Sequence, residues 1–249
     1  MKDNEIKICG LAAVRARFKR DASSIVRLYF DLPTSKRVGV MCRTLAAGKK
    51  VYRCVEPAEL EKLADSIHHG GIVAVVAERP MRSPSESDIA SWAGRRENLV
   101  VLDRIGNAHN LGAIARSAGF FGVPRLAISS GSASAQPGTA AYRVSEGGLE
   151  ALETWTVSDV PGFLRALSTA GFDVVGASTS GGAAKISSGK HVGPWALVVG
   201  NEETGLADDV RAACSRLVTI AGKGSVESLN VSVAAAVLIH DLGTNEGRR

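Results

Sequence analysis

Aromatic residues and cysteines are scarce in this chain of 249 residues. Phe, Trp and Tyr make up 5% of it, and there are only four cysteines. The cysteines show no C-x-x-C spacing and have no nearby histidines arranged as metal ligands, which disfavours a zinc site. We therefore expect no metal, and reduced thiols in a cytoplasm. The four are Cys9, Cys42, Cys54 and Cys214.

Long apolar runs are also missing. The apolar run at residues 231–239 is far shorter than the ~20 residues that span a bilayer. No apolar stretch follows the charged start of the chain, so neither a signal peptide nor a membrane anchor is expected. Hydrophobic residues still make up 45% of the chain. With this length, that is enough for a soluble globular protein with one large domain or two small ones.

Several common cofactor and catalytic motifs do not occur. There is no G-x-G-x-x-G and no H-E-x-x-H, and residues 176–181 miss the G-x-S-x-G spacing by one residue. Residues 222–225 carry lysine before glycine and fail as a phosphate-binding loop. His68 and His69 are adjacent, point in different directions and fit a polar surface turn better than metal ligation.

Positive charge is concentrated in the N-terminal part of the chain. Residues 1–96 hold 18 Lys and Arg against 11 Asp and Glu, a net +7, which leaves −2 for residues 97–249. A polyanion bound through its phosphates would use such a surface, although charge alone fits a solvated basic face equally well. The candidate contacts are Arg15, Arg17, Lys19 and Arg20.

The order of apolar patterns predicts two α/β units. Over residues 1–79, helix-like pieces at 10–20, 35–47 and 57–67 alternate with strand-like pieces at 25–30, 50–55 and 72–77. The Pro- and Ser-rich residues 80–97 are typical of a linker, with one helical turn near Trp92.

The second unit, residues 98–249, alternates strands and helices, which predicts a parallel sheet with helices on both faces. Ligands bind such sheets outside the carboxyl ends of the strands. The predicted strands are residues 99–103, 125–129, 172–177, 196–200 and 217–220, and the predicted helices lie near 111–121, 158–170, 206–213 and 229–241.

The first stretch that indicates chemistry follows the strand at residues 99–103. Asn110 is a candidate N-cap, and Arg116 projects from the helix that follows. The buried stripe of that helix should contain Leu111, Ile114, Ala115 and Ala118. An arginine on the opposite side, near a helix N-terminus, suits phosphate binding, although on this stretch alone an ordinary surface arginine is the simpler interpretation.

Two further stretches resemble ligand loops. A short apolar strand ends at Gly200, with Asn201 and Glu202 just beyond its carboxyl end, which is typical of a ligand site. Near the C-terminus, residues 220–230 predict a strand, a glycine loop and a helix capped by Ser228 or Asn230. That helix is apolar nearly all round, so it should be buried on several sides or packed against a partner.

Together the three stretches resemble a known family. Asn-x-Gly-x-x-x-Arg-Ser-Ala at 110–118, Gly-x-Glu-x-x-Gly at 200–205 and Gly-Ser-Val-x-Ser-Leu-Asn-Val-Ser-Val-Ala at 224–234 are similar to the three motifs of the SpoU/TrmH family of RNA ribose 2′-O-methyltransferases. This family belongs to the SPOUT superfamily. The first motif usually has a proline where this chain has Ala108, which leaves the loop less rigid but removes no reacting group.

The resemblance implies a catalytic domain with a deep C-terminal trefoil knot, preceded by a ribosomal-protein-like RNA-binding domain. It implies S-adenosylmethionine as methyl donor, held largely by backbone groups, and a homodimer with its sites at the interface. The RNA would be ribosomal or transfer RNA. The implied cofactor-binding residues are Gly200, Asn201, Ile220, Gly222 and Leu229.

Roles for the remaining motif residues follow from the same resemblance. Arg116 would engage the substrate phosphate and the 2′-hydroxyl region, and Glu202 would orient or neutralise Arg116. Asn110 and Asn230 would position the ribose, and Ser228 would add a hydrogen bond. Arginine itself is a poor proton acceptor, because its guanidinium group keeps its proton in proteins.

Two other functions fit the sequence less well. A non-catalytic RNA-binding relative would keep the knot fold, but every reacting position is present here. An enzyme acting on a free small nucleotide would have little use for the basic first unit. Asp103, Arg104 and His109 are further acid/base candidates, and we expect none of them to be the essential base.

Overall fold

The computed structural model describes residues 5–178, 184–185 and 193–244. The stretch at 176–181 discussed above therefore lies partly outside the described residues. The strands are β1 Glu5–Cys9, β2 Ile25–Phe30, β3 Val51–Cys54, β4 Ile72–Ala77, β5 Leu99–Leu102, β6 Arg125–Ser129, β7 Glu153–Val157, β8 Asp173–Ala177, β9 Ala184–Lys185, β10 Trp195–Val199 and β11 Arg216–Thr219. The helices are α1 Leu11–Asp21, α2 Leu32–Ser35, α3 Gly39–Ala47, α4 Pro57–Ala64, α5 Glu86–Gly94, α6 Ala108–Phe120, α7 Thr139–Ser145, α8 Gly148–Ala151, α9 Val160–Thr169, α10 Asp208–Ala213 and α11 Val231–Thr244.

The first sheet has the order β1-β4-β2-β3, with β4 antiparallel to both neighbours and β2 parallel to β3. The strands predicted at 25–30 and 72–77 are confirmed. The single helix predicted at 35–47 is wrong, because Asp31 caps a separate short helix through the Thr34 N–H and the chain turns before α3 begins. The next helix ends three residues earlier than predicted, since Asp65 adopts a left-handed conformation.

The second sheet has seven parallel strands in the order β7-β6-β5-β10-β8-β11-β9. Alternate residues of β5 face opposite cores: Val100 and Leu102 pack with α6 and α11, whereas Leu99 and Val101 pack with α5 and α9. The predicted parallel sheet with helices on both faces is therefore confirmed. Sequence reasoning missed β7, β9, α7 and α8, all of which have seven residues or fewer.

The segment between the sheets is more ordered than the predicted linker. Residues 86–94 form the nine-residue helix α5, which starts with a capping box between Ser85 and Asp88. Trp92 is buried and meets Trp155 of β7 edge to face, with ring centroids 5.0 Å apart. The guanidinium of Arg82 lies 4.2 Å from the Trp155 ring. The helix thus packs on the second sheet, where aromatic burial stabilises it.

A buried ion pair joins the two sheets. Arg17 of α1 is 0% exposed, and its Nε donates to Glu150 of α8 at 2.7 Å. Arg79 pairs with the other Glu150 oxygen at 3.3 Å. The Arg17 guanidinium also donates to the Ala77 carbonyl at 3.2 Å and to the Tyr142 hydroxyl at 3.4 Å. Both buried charges are therefore partnered, as burial requires.

None of the described helices is long and apolar enough to cross a membrane. Among the described residues, no group of three or more His, Cys, Asp or Glu could hold a metal ion. The four cysteines are free thiols. Burial raises the pKa of Cys214 to about 11, so this thiol stays protonated near neutral pH.

Removal of the Glu150 carboxylate should destabilise the protein strongly. In Glu150→Ala the Arg17 guanidinium stays buried without its carboxylate, which costs about 3–5 kcal/mol in comparable cases. Glu153→Ala is the control, because the Glu153 carboxylate is half-exposed and its partner Arg125 keeps a second carboxylate, that of Glu97, so we expect a loss of about 1 kcal/mol or less. Urea unfolding of both variants measures the difference, and equal losses would show that the Arg17 pair contributes no more than this half-exposed carboxylate.

Candidate active site

A cleft opens at the carboxyl ends of β5 and β10, where a parallel sheet of this kind binds ligands. Its volume is about 800 Å³, within the range of small-molecule sites. Its walls come from the loop after β5 with the start of α6, from the loop after β10, and from the start of α11. The lining residues are Gly106, Asn107, Ala108, Asn110, Asn201, Glu202, Glu203, Ser228, Leu229, Asn230 and Val231.

Glu202 is the centre of the hydrogen-bond network in this cleft. Its carboxylate accepts from the backbone N–H groups of Gly106 at 3.1 Å and Asn107 at 3.2 Å, and from Nδ2 of Asn110 at 2.9 Å. Partial burial raises the pKa of Glu202, but the hydrogen bonds, led by that from Asn110, outweigh it and hold the pKa below its usual value. The carboxylate is therefore ionised at neutral pH and is a weak base.

The third motif joins this network through Asn230. Its Nδ2 donates to Oδ1 of Asn110 at 3.2 Å, and Asn110 in turn donates to Glu202. Oδ1 of Asn230 accepts from Ser232 N at 2.9 Å, so Asn230 caps α11 as predicted. The predicted cap of α6 is wrong by one turn: Asn107 caps that helix by accepting from His109 N at 2.8 Å, and Asn110 lies within its first turn.

The loop after β10 is a tight turn that requires glycine. A Cβ on Gly200 would collide with the backbone of Gly205 and Leu206, so the turn closes only without a side chain there. Oδ1 of Asn201 accepts from the N–H groups of residues 203 and 204, and its Nδ2 donates to the Arg104 carbonyl at 2.9 Å. The turn is thereby fixed against the loop after β5.

Asp103 and Arg104 hold the far end of this turn through hydrogen bonds to Gly205 and Ala207. Asp103 is 3% exposed and accepts from the Arg104 guanidinium and from Ala207 N. Arg104 donates to the Gly205 carbonyl at 3.0 Å. His109 is exposed, and its backbone N–H bonds the Asn107 cap. These positions hold the backbone and none lines the cleft, which supports the expectation that none is the essential base.

The loop before α11 supplies unpaired main-chain groups. Residues 221–230 are all exposed, and the backbone of 221–229 makes no backbone–backbone hydrogen bond to any other described residue. Leu229 lines the cleft and is half-exposed. Free backbone donors and acceptors beside an apolar side chain suit a ligand with polar and apolar parts, such as S-adenosylmethionine. Ile220 and Gly222 belong to this loop region but do not line the cleft.

Arg116 does not lie in the cleft of its own chain. It projects from the exposed side of α6, opposite the buried stripe, as predicted. Its Nη1 pairs with Glu146 at 3.0 Å, and both side chains are 56% exposed. The predicted contact between Glu202 and Arg116 is therefore wrong for the described single chain, since Glu202 binds the first motif through its amides.

Two of the four basic residues predicted to bind RNA are engaged elsewhere. Arg17 is buried against Glu150, and the Arg20 guanidinium donates to the carbonyls of Glu150 and Leu152. The prediction is wrong for Arg17, which a partner cannot reach, and the Arg20 guanidinium binds the C-terminal end of α8. Arg15 and Lys19 are exposed on α1 and remain candidates.

Sequence reasoning overlooked the partners of the motif residues. The backbone amides of Gly106 and Asn107 donate to Glu202. Asn107 is as good an N-cap residue as Asn110, and this similarity could have indicated the earlier start of α6. Glu146 gave no signal, because its proximity to Arg116 depends on how α7 packs against α6.

Comparison with known proteins identifies the family. The SpoU rRNA Methylase family matches residues 97–240, and the family of RNA 2′-O ribose methyltransferase substrate-binding domains matches residues 7–81. The first match covers more than half of the chain and contains all three motifs.

Curated relatives agree with this. The chain is 32% identical over 235 residues to an uncharacterized tRNA/rRNA methyltransferase, YfiF, of Escherichia coli O157:H7, covering 94% of this chain and 67% of that protein. It is also 32% identical over 238 residues to the 23S rRNA (guanosine-2′-O-)-methyltransferase RlmB of Photorhabdus laumondii subsp. laumondii, covering 94% of this chain and 96% of the relative.

Solved structures share the fold. The SpoU methyltransferase AviRb of Streptomyces viridochromogenes, in complex with AdoMet, superposes with a TM-score of 0.77 at 24% identity, covering 97% of this chain and 90% of that one. An AdoMet-bound rRNA methyltransferase of Sinorhizobium meliloti superposes with a TM-score of 0.76 at 23% identity, and the match covers 96% of this chain and 87% of that one. The arrangement of the motifs, the family matches and the shared fold confirm the predicted family: the chain belongs to the SpoU rRNA Methylase family.

Proposed function

We propose that this protein transfers a methyl group from S-adenosylmethionine to a ribose 2′-hydroxyl of structured ribosomal or transfer RNA. The observation that carries the proposal is the hydrogen-bonded chain from Asn230 through Asn110 to Glu202, which joins all three motifs at one cleft. The family, and relatives that methylate guanosine 2′-O in 23S rRNA, support it.

Methyl transfer requires the ribose oxygen to be held in line with the methyl carbon and the sulfur. When bound, S-adenosylmethionine supplies a strongly electrophilic sulfonium methyl. Asn110 and Asn230 present amide groups at the cleft to orient the ribose, and Ser228 beside them adds a hydroxyl. Glu202 fixes Asn110, and its lowered pKa makes it a poor proton acceptor. The proton leaves through RNA phosphate or water.

The residues around the cleft fit the methyl donor. Gly200 and Asn201 shape the turn after β10, and Ile220, Gly222 and Leu229 belong to the stretch that leads to α11, in which the backbone of 221–229 makes no backbone–backbone hydrogen bond to other described residues. We propose that these residues hold the donor mainly through main-chain contacts. The deep trefoil knot implied by the family resemblance is part of the same proposal.

A homodimer accounts for the position of Arg116, which lies outside the cleft of its own chain. In a dimer with sites at the interface, Arg116 of one protomer would face the RNA in the cleft of the other. Exposed apolar side chains support such an interface: Phe120 at the end of α6 is 84% exposed, and Val226 and Val233 near α11 are 79% and 49% exposed.

We propose that residues 1–79 bind RNA and that residues 98–249 are catalytic. Residues 80–97 connect them, and their helix α5 packs on the catalytic sheet. The match of residues 7–81 to the substrate-binding family and the exposed Arg15 and Lys19 support this division. The reduced cysteines fit a cytoplasmic location.

The proposed function is tested by incubating the protein with labelled S-adenosylmethionine and total RNA, then identifying methylated nucleosides. We expect 2′-O-methylated ribose.

Arg116→Ala should lower the rate of single-turnover methyl transfer by about 10² or more, because a preorganised electrostatic contact is lost, while donor affinity measured by calorimetry stays within a few-fold of wild type. Arg116→Lys should restore only part of the transfer rate, since a point charge cannot replace the planar guanidinium.

His109→Ala is the control for this experiment, because it changes an exposed residue of the same helix, α6, without removing a group from the cleft. It should keep at least about a tenth of the rate, whereas loss of a general base lowers the rate by about 10² or more. Donor binding without any methylated RNA would favour a non-catalytic RNA-binding relative. Near wild-type transfer by Arg116→Ala would remove that residue from the chemistry.

Mixed dimers test whether Arg116 acts across the interface. Arg116→Ala and Asn230→Ala should each be nearly inactive alone. After the two variants are mixed and exchanged, each heterodimer should contain one site with an intact Asn230 and an intact Arg116 from its partner. Recovered transfer is the expected result, and a mixture as inactive as its parents, with subunit exchange verified by mass, would place Arg116 in its own chain's site.

The exposed basic residues of α1 should contribute to RNA affinity. Arg15→Glu with Lys19→Glu should weaken RNA binding and reduce its salt dependence by about one unit of slope for each lost phosphate contact, with donor affinity unchanged. Arg165→Glu, an exposed arginine on α9, is the control for charge reversal, and it is compared with Arg15→Glu and Lys19→Glu made singly, each of which changes the net charge by the same amount. If the control loses as much affinity, or donor binding falls too, α1 is not the RNA contact.

A further inference from the structure

The segment at residues 146–150, here called the bridging segment, lies between the RNA-binding unit and the helix that carries Arg116. At one end Glu146 pairs with Arg116, and at the other Glu150 pairs with the buried Arg17 of α1. Five consecutive residues therefore connect the substrate-binding unit to the side chain that we propose to contact the RNA.

Two glycines of the bridging segment pack closely against its neighbours on both sides. A Cβ on Gly147 would lie 3.2 Å from the Ala16 Cβ of α1, and its φ of +99° already favours glycine. A Cβ on Gly148 would lie 2.7 Å from the Arg116 Cα. The backbone that presents Glu146 is thus held against α1 on one side and against α6, directly under Arg116, on the other.

Glu146 itself has an unfavourable backbone conformation. It ends α7 with φ 44° and ψ 39°, in the left-handed region, where glycine or asparagine is preferred to glutamate. Its N–H bonds the Arg143 carbonyl, a contact that any residue could make. A glutamate at this position therefore adds nothing to the helix end that glycine would lack, and what distinguishes it is its carboxylate, 3.0 Å from Arg116.

We propose that Glu146 is a positioning residue for Arg116: its carboxylate, placed by the packed bridging segment, restrains the guanidinium in the orientation used for RNA. This proposal rests on the proposed role of Arg116 in methyl transfer. With both side chains 56% exposed, the pair contributes little to stability. Its consequence is geometric, because it limits the rotamers of a long side chain before RNA arrives.

Three substitutions test the proposal. Glu146→Gln removes the charge and keeps the shape, Glu146→Gly removes the side chain and relieves the backbone, and Glu146→Asp keeps a shorter carboxylate. The matched control is Asp65→Gly, which makes the same backbone change at the end of α4, where the residue is also left-handed, with φ 52°. Single-turnover transfer at saturating RNA, RNA affinity, donor affinity and thermal midpoint are measured for each.

Glu146→Gln and Glu146→Gly should lower the transfer rate about tenfold, with RNA and donor affinities within about threefold of wild type, and Glu146→Asp should recover part of the rate. The thermal midpoint of Glu146→Gly should equal or exceed that of wild type, as should that of Asp65→Gly, whose transfer stays at the wild-type rate. A rate loss together with undiminished stability is what a purely structural cap would not give.

A second measurement does not depend on activity. The Nε–Hε resonance of Arg116, assigned by its loss in Arg116→Lys, should show restricted motion in the wild type and faster motion in Glu146→Gln. An unchanged transfer rate in Glu146→Gln and Glu146→Gly would overturn the proposal. So would an unchanged mobility of Arg116 in Glu146→Gln, or a gain in transfer rate or RNA affinity in either variant. If the wild type itself methylates no RNA, the proposed function fails while the resonance still decides whether Glu146 restrains Arg116.

Discussion

One carboxylate organises the candidate site. Glu202 accepts hydrogen bonds from two backbone amides of the loop after β5 and from the side chain of Asn110, and Asn110 holds Asn230. The loops after β5 and β10 and the start of α11 are therefore tied to a single charge. Because these donors lower the pKa of Glu202, its carboxylate stays charged at neutral pH. The same carboxylate that holds the network together is therefore a poor proton acceptor.

A second charge constraint sets the relation between the two sheets. Arg17 and Glu150 are both buried, and each offsets the cost of burying the other's charge, with Arg79, Tyr142 and the Ala77 carbonyl as further partners. This is why a cluster of basic residues is not the same as a basic surface. The N-terminal part of the chain is basic, but two of the four residues predicted to bind RNA, Arg17 and Arg20, bind α8 and the residue after it.

The sequence predicted most of the sheet framework and the three motif loops, because those features depend on local information. Buried strands are short apolar runs, and Asn230 and Gly200 act through the adjacent backbone. What could not be predicted depends on packing between distant segments. The pairing of Arg116 with Glu146, the burial of Arg17 and the docking of α5 through Trp92 all require contacts between residues far apart in sequence. The helix break before α3 was local, and was missed because the turn capped by Asp31 was not recognised.

The candidate site of the single chain is exposed to solvent. Its cleft is open, the whole of residues 221–230 is exposed, and Arg116 lies in a half-exposed ion pair where water weakens electrostatic contacts. An electrostatic contribution of about 10² in rate requires a site from which water is excluded. The exposed apolar residues Phe120, Val226 and Val233 lie on or beside the helices that flank the cleft. In the proposed homodimer, a second copy that covers them would bury apolar surface and exclude water from the cleft. The burial that favours assembly would then also strengthen the electrostatic contacts proposed for methyl transfer.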